Sequence, residues 1–74
     1  MKHLKYNVLI EKSKNGYGAY VPDLPGCVAL GSTKREVIKL IKEGIEFHIE
    51  GLLLSGYKIP KPESEILEVK VNVA

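Results

Sequence analysis

One cysteine, two histidines and a single aspartate are the residues of this 74-residue chain best suited to chemistry. Cys27 could act as a nucleophile only with an imidazole within hydrogen-bond distance and a third group orienting that imidazole. His48 falls near the sheet-facing side of a predicted helix, where a structural histidine is commoner than a catalytic one. Free cysteine is itself among the most often buried residue types. We therefore predict no catalytic residue.

The spacing of the potential metal ligands along the sequence does not favour metal binding either. His3, Cys27 and His48 form no short ligand pair of the C-x-x-C or H-x-x-x-H kind. Two-metal catalysis needs several converging carboxylates, whereas Asp23 is the only aspartate and the strand glutamates alternate away from the apolar face. We predict no metal, no cofactor and no enzymatic activity.

Composition indicates one ordinary globular domain spanning residues 1–74. The hydrophobic fraction is 45% and the charged fraction 27%, both typical of such domains. A net charge of +2 with scattered lysines does not predict nucleic-acid binding. A lone cysteine cannot form an internal disulfide, which fits a reducing cytoplasm, and no segment is apolar enough for a signal peptide or a membrane span. We expect a cytoplasmic location.

Alternating polarity predicts three strands in the first half of the chain. Leu4 to Lys12, Tyr17 to Val21 and Cys27 to Leu30 are separated by turn residues. In the first turn, Asn15-Gly16 offers the positive φ of a tight hairpin.

A helix and a last strand are predicted to follow. Thr33 with Glu36 three residues later makes a capping box, so the helix should begin at Lys34, and Gly56 should end it near Ser55. Beyond "IPKP", apolar residues alternate with polar ones at Leu67, Val69, Val71 and Val73. The predicted order is β-β-β-α-β, an α+β fold with one helix on a small, mainly antiparallel sheet.

The predicted helix carries two apolar lines. Ile38, Ile41, Ile45, Ile49 and Leu52 should face the sheet. Leu40, Phe47 and Leu54 form a second line, with Gly44 and Gly51 between the two. Each glycine inside a helix costs roughly 0.5–1 kcal/mol relative to alanine.

Two interpretations of the second line remain open. A strongly curved sheet could bury both lines within one chain. Alternatively, the glycines floor a groove that another subunit or a partner covers. We favour the second, because a small sheet covers only about a 100° stripe of a helix. It makes Leu40, Gly44, Phe47, Gly51 and Leu54 a candidate oligomer or partner interface.

The residues "YVPDLPGC", from Tyr20 to Cys27, carry a family resemblance together with Gly31, Thr33, Gly56 and the exit "IPKP". The chain resembles the HicB-like antitoxin family from the first strand to Pro62. This resemblance implies a partial ribonuclease H-like fold that lacks the acidic residues of the nuclease.

The resemblance also implies partners. Such proteins neutralise a small HicA-like, mRNA-cleaving toxin by covering its active site, and they form homodimers or higher oligomers. Many carry a C-terminal DNA-binding segment that these 74 residues do not contain, so we do not expect this chain alone to bind DNA. The alternative is an orphan homo-oligomeric HicB-like domain, structural or regulatory, without a toxin.

The proline-rich turn has two interpretations of its own. Its prolines, Gly26 and Asp23 could serve only to shape the turn. Alternatively, Tyr20, Asp23, Leu24 and Pro25 form a rigid loop that contacts a partner, with Asp23 facing a basic toxin surface.

Overall fold

Three antiparallel strands and one helix make up the regular structure of residues 3–74, the part of the chain that the computed structural model describes. The strands are β1 (Leu9–Ser13), β2 (Gly16–Tyr20) and β3 (Val28–Gly31), and the helix is α1 (Lys34–Leu54). The strands lie in the order β1-β2-β3, each antiparallel to its neighbour. The α+β class and the single helix on an antiparallel sheet are thus confirmed.

The core lies between the sheet and α1. Ile10 pairs with Ala19, and Ala19 pairs with Ala29, which places these three residues on the face of the sheet that α1 covers. The side chains that are buried among the described residues are Ala19, Val21, Leu24, Cys27, Val37 and Ile41. Within the same residues, α1 packs on β2 and β3 and makes no close backbone approach to β1.

The first strand is shorter than its sequence pattern predicts. β2 ends at Tyr20 opposite Leu9, so residues 4–8 extend past the end of their neighbour and have no ladder partner there. Tyr6 and Val8 nevertheless pack against the core.

The hairpin turn also differs from its prediction. It is centred on Lys14 and Asn15, with Ser13 opposite Gly16, and neither turn residue has a positive φ. Gly16, which follows the turn, has φ 158°, and it also permits close packing, because a Cβ at this position would lie 2.5 Å from the Gly31 carbonyl oxygen.

Local chemistry fixes both ends of α1. The Thr33 hydroxyl accepts a hydrogen bond from the Glu36 N–H at 3.1 Å, and the Glu36 carboxylate accepts one from the Ser32 N–H at 3.0 Å. At the other end, Gly56 adopts φ 78°. The N–H groups of Gly56 and Tyr57 donate to the carbonyls of Leu53 and Leu52, the pattern of a Schellman motif. The predicted helix boundaries are confirmed.

The predicted last strand is wrong for the chain taken alone. Residues 57–74 contain no strand, and Leu67, Val69, Val71 and Val73 are at least 64% exposed. Alternation indicates a segment that can bury one side, but a strand also needs a neighbouring edge for its backbone hydrogen bonds. In the described residues this segment pairs with neither edge of the three-stranded sheet, and the chain extends over 52 × 27 × 21 Å.

Candidate functional site

The turn between β2 and β3 is a closed loop built around a buried leucine. The Val21 N–H donates to the Cys27 carbonyl at 3.2 Å, the Leu24 N–H to the Val21 carbonyl at 3.1 Å, and the Cys27 N–H to the Leu24 carbonyl at 3.0 Å. The Leu24 side chain is completely buried. Its predicted role in partner contact is therefore corrected: Leu24 anchors the turn to the core and presents no surface.

Asp23 fastens the turn to the C-terminal half of the chain. One carboxylate oxygen accepts a hydrogen bond from the Ser64 N–H at 3.1 Å, and the other accepts one from the Ser64 hydroxyl at 2.8 Å. The Asn7 side-chain amide donates to the Ser64 carbonyl. The local sequence does not predict this contact, because Ser64 lies 41 residues beyond Asp23.

Tyr6 completes this fastening, which we call the tail root (Tyr6, Asn7, Asp23, Pro60 and Ser64). The Tyr6 hydroxyl donates to the Pro60 carbonyl. Partial burial, with a smaller contribution from the negative charge of Asp23, raises the pKa of the Tyr6 hydroxyl. The hydroxyl therefore stays protonated and remains a donor at neutral pH.

The face of the sheet turned away from α1 is largely apolar and exposed, although the charged Glu11 lies on it in the same row as Gly18 and Leu30. Leu9, Tyr20 and Val28 lie side by side across the three strands, and Leu30 beside Gly18 is 81% exposed. We call Tyr20, Pro25, Val28 and Leu30 the sheet-face patch; all four line one shallow groove. Val28 and Leu30 were missed in the sequence, although the alternation in "CVAL" places them opposite the buried Cys27.

A second groove follows α1, and three of the five predicted interface residues line it. Gly44, Phe47 and Gly51 lie along it, with Cys27 and Tyr57 among its other lining residues. We call it the helix groove; its volume is about 490 Å³. The predicted residues Leu40 and Leu54 lie outside its lining but are exposed, Leu54 by 82%.

The two helix glycines differ in what they face. A Cβ at Gly44 would lie 3.8 Å from the Cys27 Sγ, an ordinary contact, whereas a Cβ at Gly51 would meet nothing within 4 Å. Packing within the chain therefore gives no reason for glycine at position 51. Phe47, beside it, is 73% exposed.

A larger cleft lies between α1 and the strand β1. It has a volume of about 960 Å³, and we call it the β1 cleft. Its lining is mostly aliphatic: Leu4, Val8, Ile10, Ile38, Ile41, Ile45, Ile49 and Ile59, together with Pro60 and the polar or charged His3, Lys42, Glu46 and Lys61. The helix residues in this set belong to the line predicted to face the sheet, so the three-stranded sheet leaves part of that line uncovered.

The residues best suited to chemistry do not assemble into a reactive site. Cys27 and His48 both line the helix groove, but the thiol is a free, buried group, and burial raises its pKa. An activated cysteine nucleophile requires a lowered thiol pKa, which is the opposite shift. Over residues 3–74, no three His, Cys, Asp or Glu side chains cluster as metal ligands would. Nor does this part of the chain hold a helix with the length and apolar character needed to cross a membrane.

These features define a class of protein: a small α+β domain whose prominent surfaces are apolar grooves suited to binding other polypeptides. Comparison with known proteins identifies the family. The model of the HicB_like antitoxin of bacterial toxin-antitoxin system matches residues 6–73, and the chain belongs to this family.

The relatives agree with this assignment. A 14.9 kDa protein from the rep-hol intergenic region of Haemophilus phage HP1 is 46% identical over 90% of this chain, which spans only 49% of that protein. A UPF0150 protein of Thermoplasma acidophilum is 43% identical, covering 89% of this chain and 97% of its own length. A chain of the HicA3 and HicB3 toxin-antitoxin complex superposes with a TM-score of 0.69 at 33% identity, over 81% of this chain and 70% of that one.

Proposed function

We propose that this chain is an antitoxin that binds a small HicA-like, mRNA-cleaving toxin and covers its active site. The observation that carries the proposal is the likeness in sequence and structure to a chain of the HicA3 and HicB3 complex. Family membership over residues 6–73 supports it further. Neutralisation by covering a surface requires no catalytic group of the antitoxin's own.

The sheet-face patch is the surface we assign to the toxin. Its side chains are held on a rigid frame, because the loop behind Tyr20 and Pro25 is closed by backbone hydrogen bonds around Leu24. Aromatic and aliphatic side chains displayed in this way can serve as the buried anchors of an interface. Both oxygens of Asp23 accept hydrogen bonds from Ser64, so we assign Asp23 to shaping the turn and holding the tail root.

The proposal is tested with a purified HicA-like, mRNA-cleaving protein, by measuring its RNA cleavage in vitro and the rescue of growth in cells that produce it. Leu30→Glu should abolish protection from the toxin. Leu53→Glu is the control, because it makes the same change at an exposed helix position (60% exposed) that belongs neither to the sheet-face patch nor to the helix line. Light scattering should report the same oligomeric state for Leu30→Glu and the unmodified chain. Full protection by Leu30→Glu would remove the sheet-face patch from the proposal, and cleavage undiminished by the unmodified chain would overturn the antitoxin function.

We further propose that the helix line Leu40, Phe47 and Leu54, with Gly44 and Gly51, is an interface between copies of this chain. The exposure of Phe47 and the open space at Gly51 support it. This interface also serves the second candidate function, a homo-oligomeric domain with a structural or regulatory role and no toxin. Defined self-association without any effect on a HicA-like nuclease would favour that candidate.

A further inference from the structure

The segment from Ile66 to Val73 has the pattern of a strand but no partner. Leu67, Val69, Val71 and Val73 point to one side in an extended segment, and Glu68, Lys70 and Asn72 to the other. All residues from Glu65 onward are exposed. Four aliphatic side chains and the backbone groups between them are therefore left without cover in the single chain.

The β1 edge of the sheet offers what this segment lacks. Its outer side is unpaired, since β1 is an edge strand, and residues 4–8 continue the same alternation beyond it. The edge therefore extends over about ten residues, enough for an eight-residue strand. β3, the other edge, has only four residues before the chain turns into α1.

The β1 cleft offers the matching apolar surface. It opens beside β1, and its helix wall is formed by Ile38, Ile45 and Ile49. A strand added at the β1 edge would turn alternate side chains toward α1, as Val8 and Ile10 already do. Apolar burial on one side and backbone pairing along the edge would then be satisfied together.

We propose that residues 66–73 form a strand on the β1 edge of a second copy of this chain, with Leu67, Val69 and Val71 inserted into its β1 cleft. The exchange is reciprocal, so that each copy completes the sheet of the other in a closed two-fold dimer. This inference goes beyond the proposed function, because it concerns self-assembly and needs no toxin.

The tail root explains why the strand reaches a second copy. Hydrogen bonds hold Pro60 to Tyr6, and Ser64 to Asn7 and Asp23. Residues after Ser64 then leave the surface of their own sheet, as their exposure and the 52 Å length of the molecule indicate. A segment that is anchored at one end and extends away from its own domain is typical of an element exchanged between two subunits.

Single substitutions on the two sides of the segment test the exchange in the full chain. Val69→Lys and Val71→Lys place a charge on the side assigned to the cleft, whereas Asn72→Lys adds the same charge on the opposite side. All variants are made in a Phe47→Glu background, which removes association through the helix line. Sedimentation velocity over a concentration series should then show a dimer for the otherwise unmodified chain and for Asn72→Lys. Each valine variant should raise the dimer dissociation constant on the order of 100-fold, because a symmetric dimer loses two buried valines.

Hydrogen exchange identifies the edge and separates the alternatives. In the dimer, amides of residues 66–73 and of residues 4–8 should be protected, and Val69→Lys should remove both protections while circular dichroism shows that the helix remains. Phe47→Glu, on the helix line, should leave this protection unchanged.

Three results would overturn the proposal. A chain that is monomeric at every concentration yet has protected tail amides would show pairing with its own sheet. A dimer retained by both valine variants would exclude the tail from the interface. Tail amides that become protected only when a HicA-like protein is added would mean that the segment binds the toxin and not a second copy. Inhibition of the toxin is measured separately, so this outcome is distinguished from failure of the antitoxin function.

Discussion

Replacement of Gly51 by alanine should stabilise the single chain and weaken its association through the helix groove. Within α1, alanine is favoured over glycine by roughly 0.5–1 kcal/mol, and a Cβ at position 51 meets no atom within 4 Å. The stabilisation therefore has no steric cost inside the chain. For a domain of this size it corresponds to an increase in Tm of about 2–8 °C.

The assay combines thermal unfolding in dilute solution with sedimentation at higher concentration. Val69→Lys should be present in the background, so that pairing through the tail does not mask the helix groove. Gly31→Ala is the control of opposite sign, because its Cβ would lie 2.9 Å from the Val37 backbone nitrogen. Such overpacking against backbone should destabilise the chain by roughly 1–3 kcal/mol.

Two results would refute the reasoning on Gly51. A Tm below that of the unmodified chain would mean that position 51 is packed within the monomer. A higher Tm with unchanged self-association would mean that no copy approaches the helix closely at this position, and the helix groove would then lose its assignment as an interface.

Three further predictions concern the turn and its anchors. Leu24→Ala should lower the free energy of unfolding by about 2–5 kcal/mol in urea titrations, since Leu24 is fully buried; a loss below 0.5 kcal/mol would place it at the surface. Asp23→Asn and Ser64→Ala should each accelerate amide exchange in residues 60–64, and the double variant should add little to either single variant, because both remove one contact. The Cys27 thiol should react with a disulfide reagent far more slowly in the folded chain than in urea. Burial raises the pKa of that thiol, so near the ordinary cysteine pKa of about 8.5 only the unfolded chain ionises. The free energy of unfolding should therefore fall as the pH rises above that value. A free energy of unfolding that stays constant between pH 8 and 10 would contradict this.

Local signals made the helix and the hairpin sheet predictable. Thr33, Glu36 and Gly56 determine the ends of α1 through bonds to residues at most five positions away. The strands follow from alternation, with Pro22 ending the second. Information of this kind acts over a few residues, so it is present in the sequence itself.

The candidate site was less predictable, because its determinants are long-range. The partner of Asp23 lies in a segment with no recognisable structure, and Leu24 looks like an exposed turn residue until the turn is seen to fold over it. The last strand shows a related limit. Alternation at Leu67 and Val69 indicates a segment that could bury one side, but both side chains are exposed in the single chain, and alternation does not say which surface would cover them.

A small core and extensive apolar surfaces are two aspects of one arrangement in this chain. Among residues 3–74, six hydrophobic side chains are buried while sixteen large ones are exposed. A domain of this size buries only about 60% of its unfolded surface and has little stability to spare. Association that covers the β1 cleft, the helix groove or the sheet-face patch would therefore add stability as well as function, because any partner that binds only the folded chain stabilises it. On this reasoning, any partner that binds the folded chain takes part in its folding equilibrium, and a substitution on a binding surface is expected to change the amount of folded protein as well as its affinity.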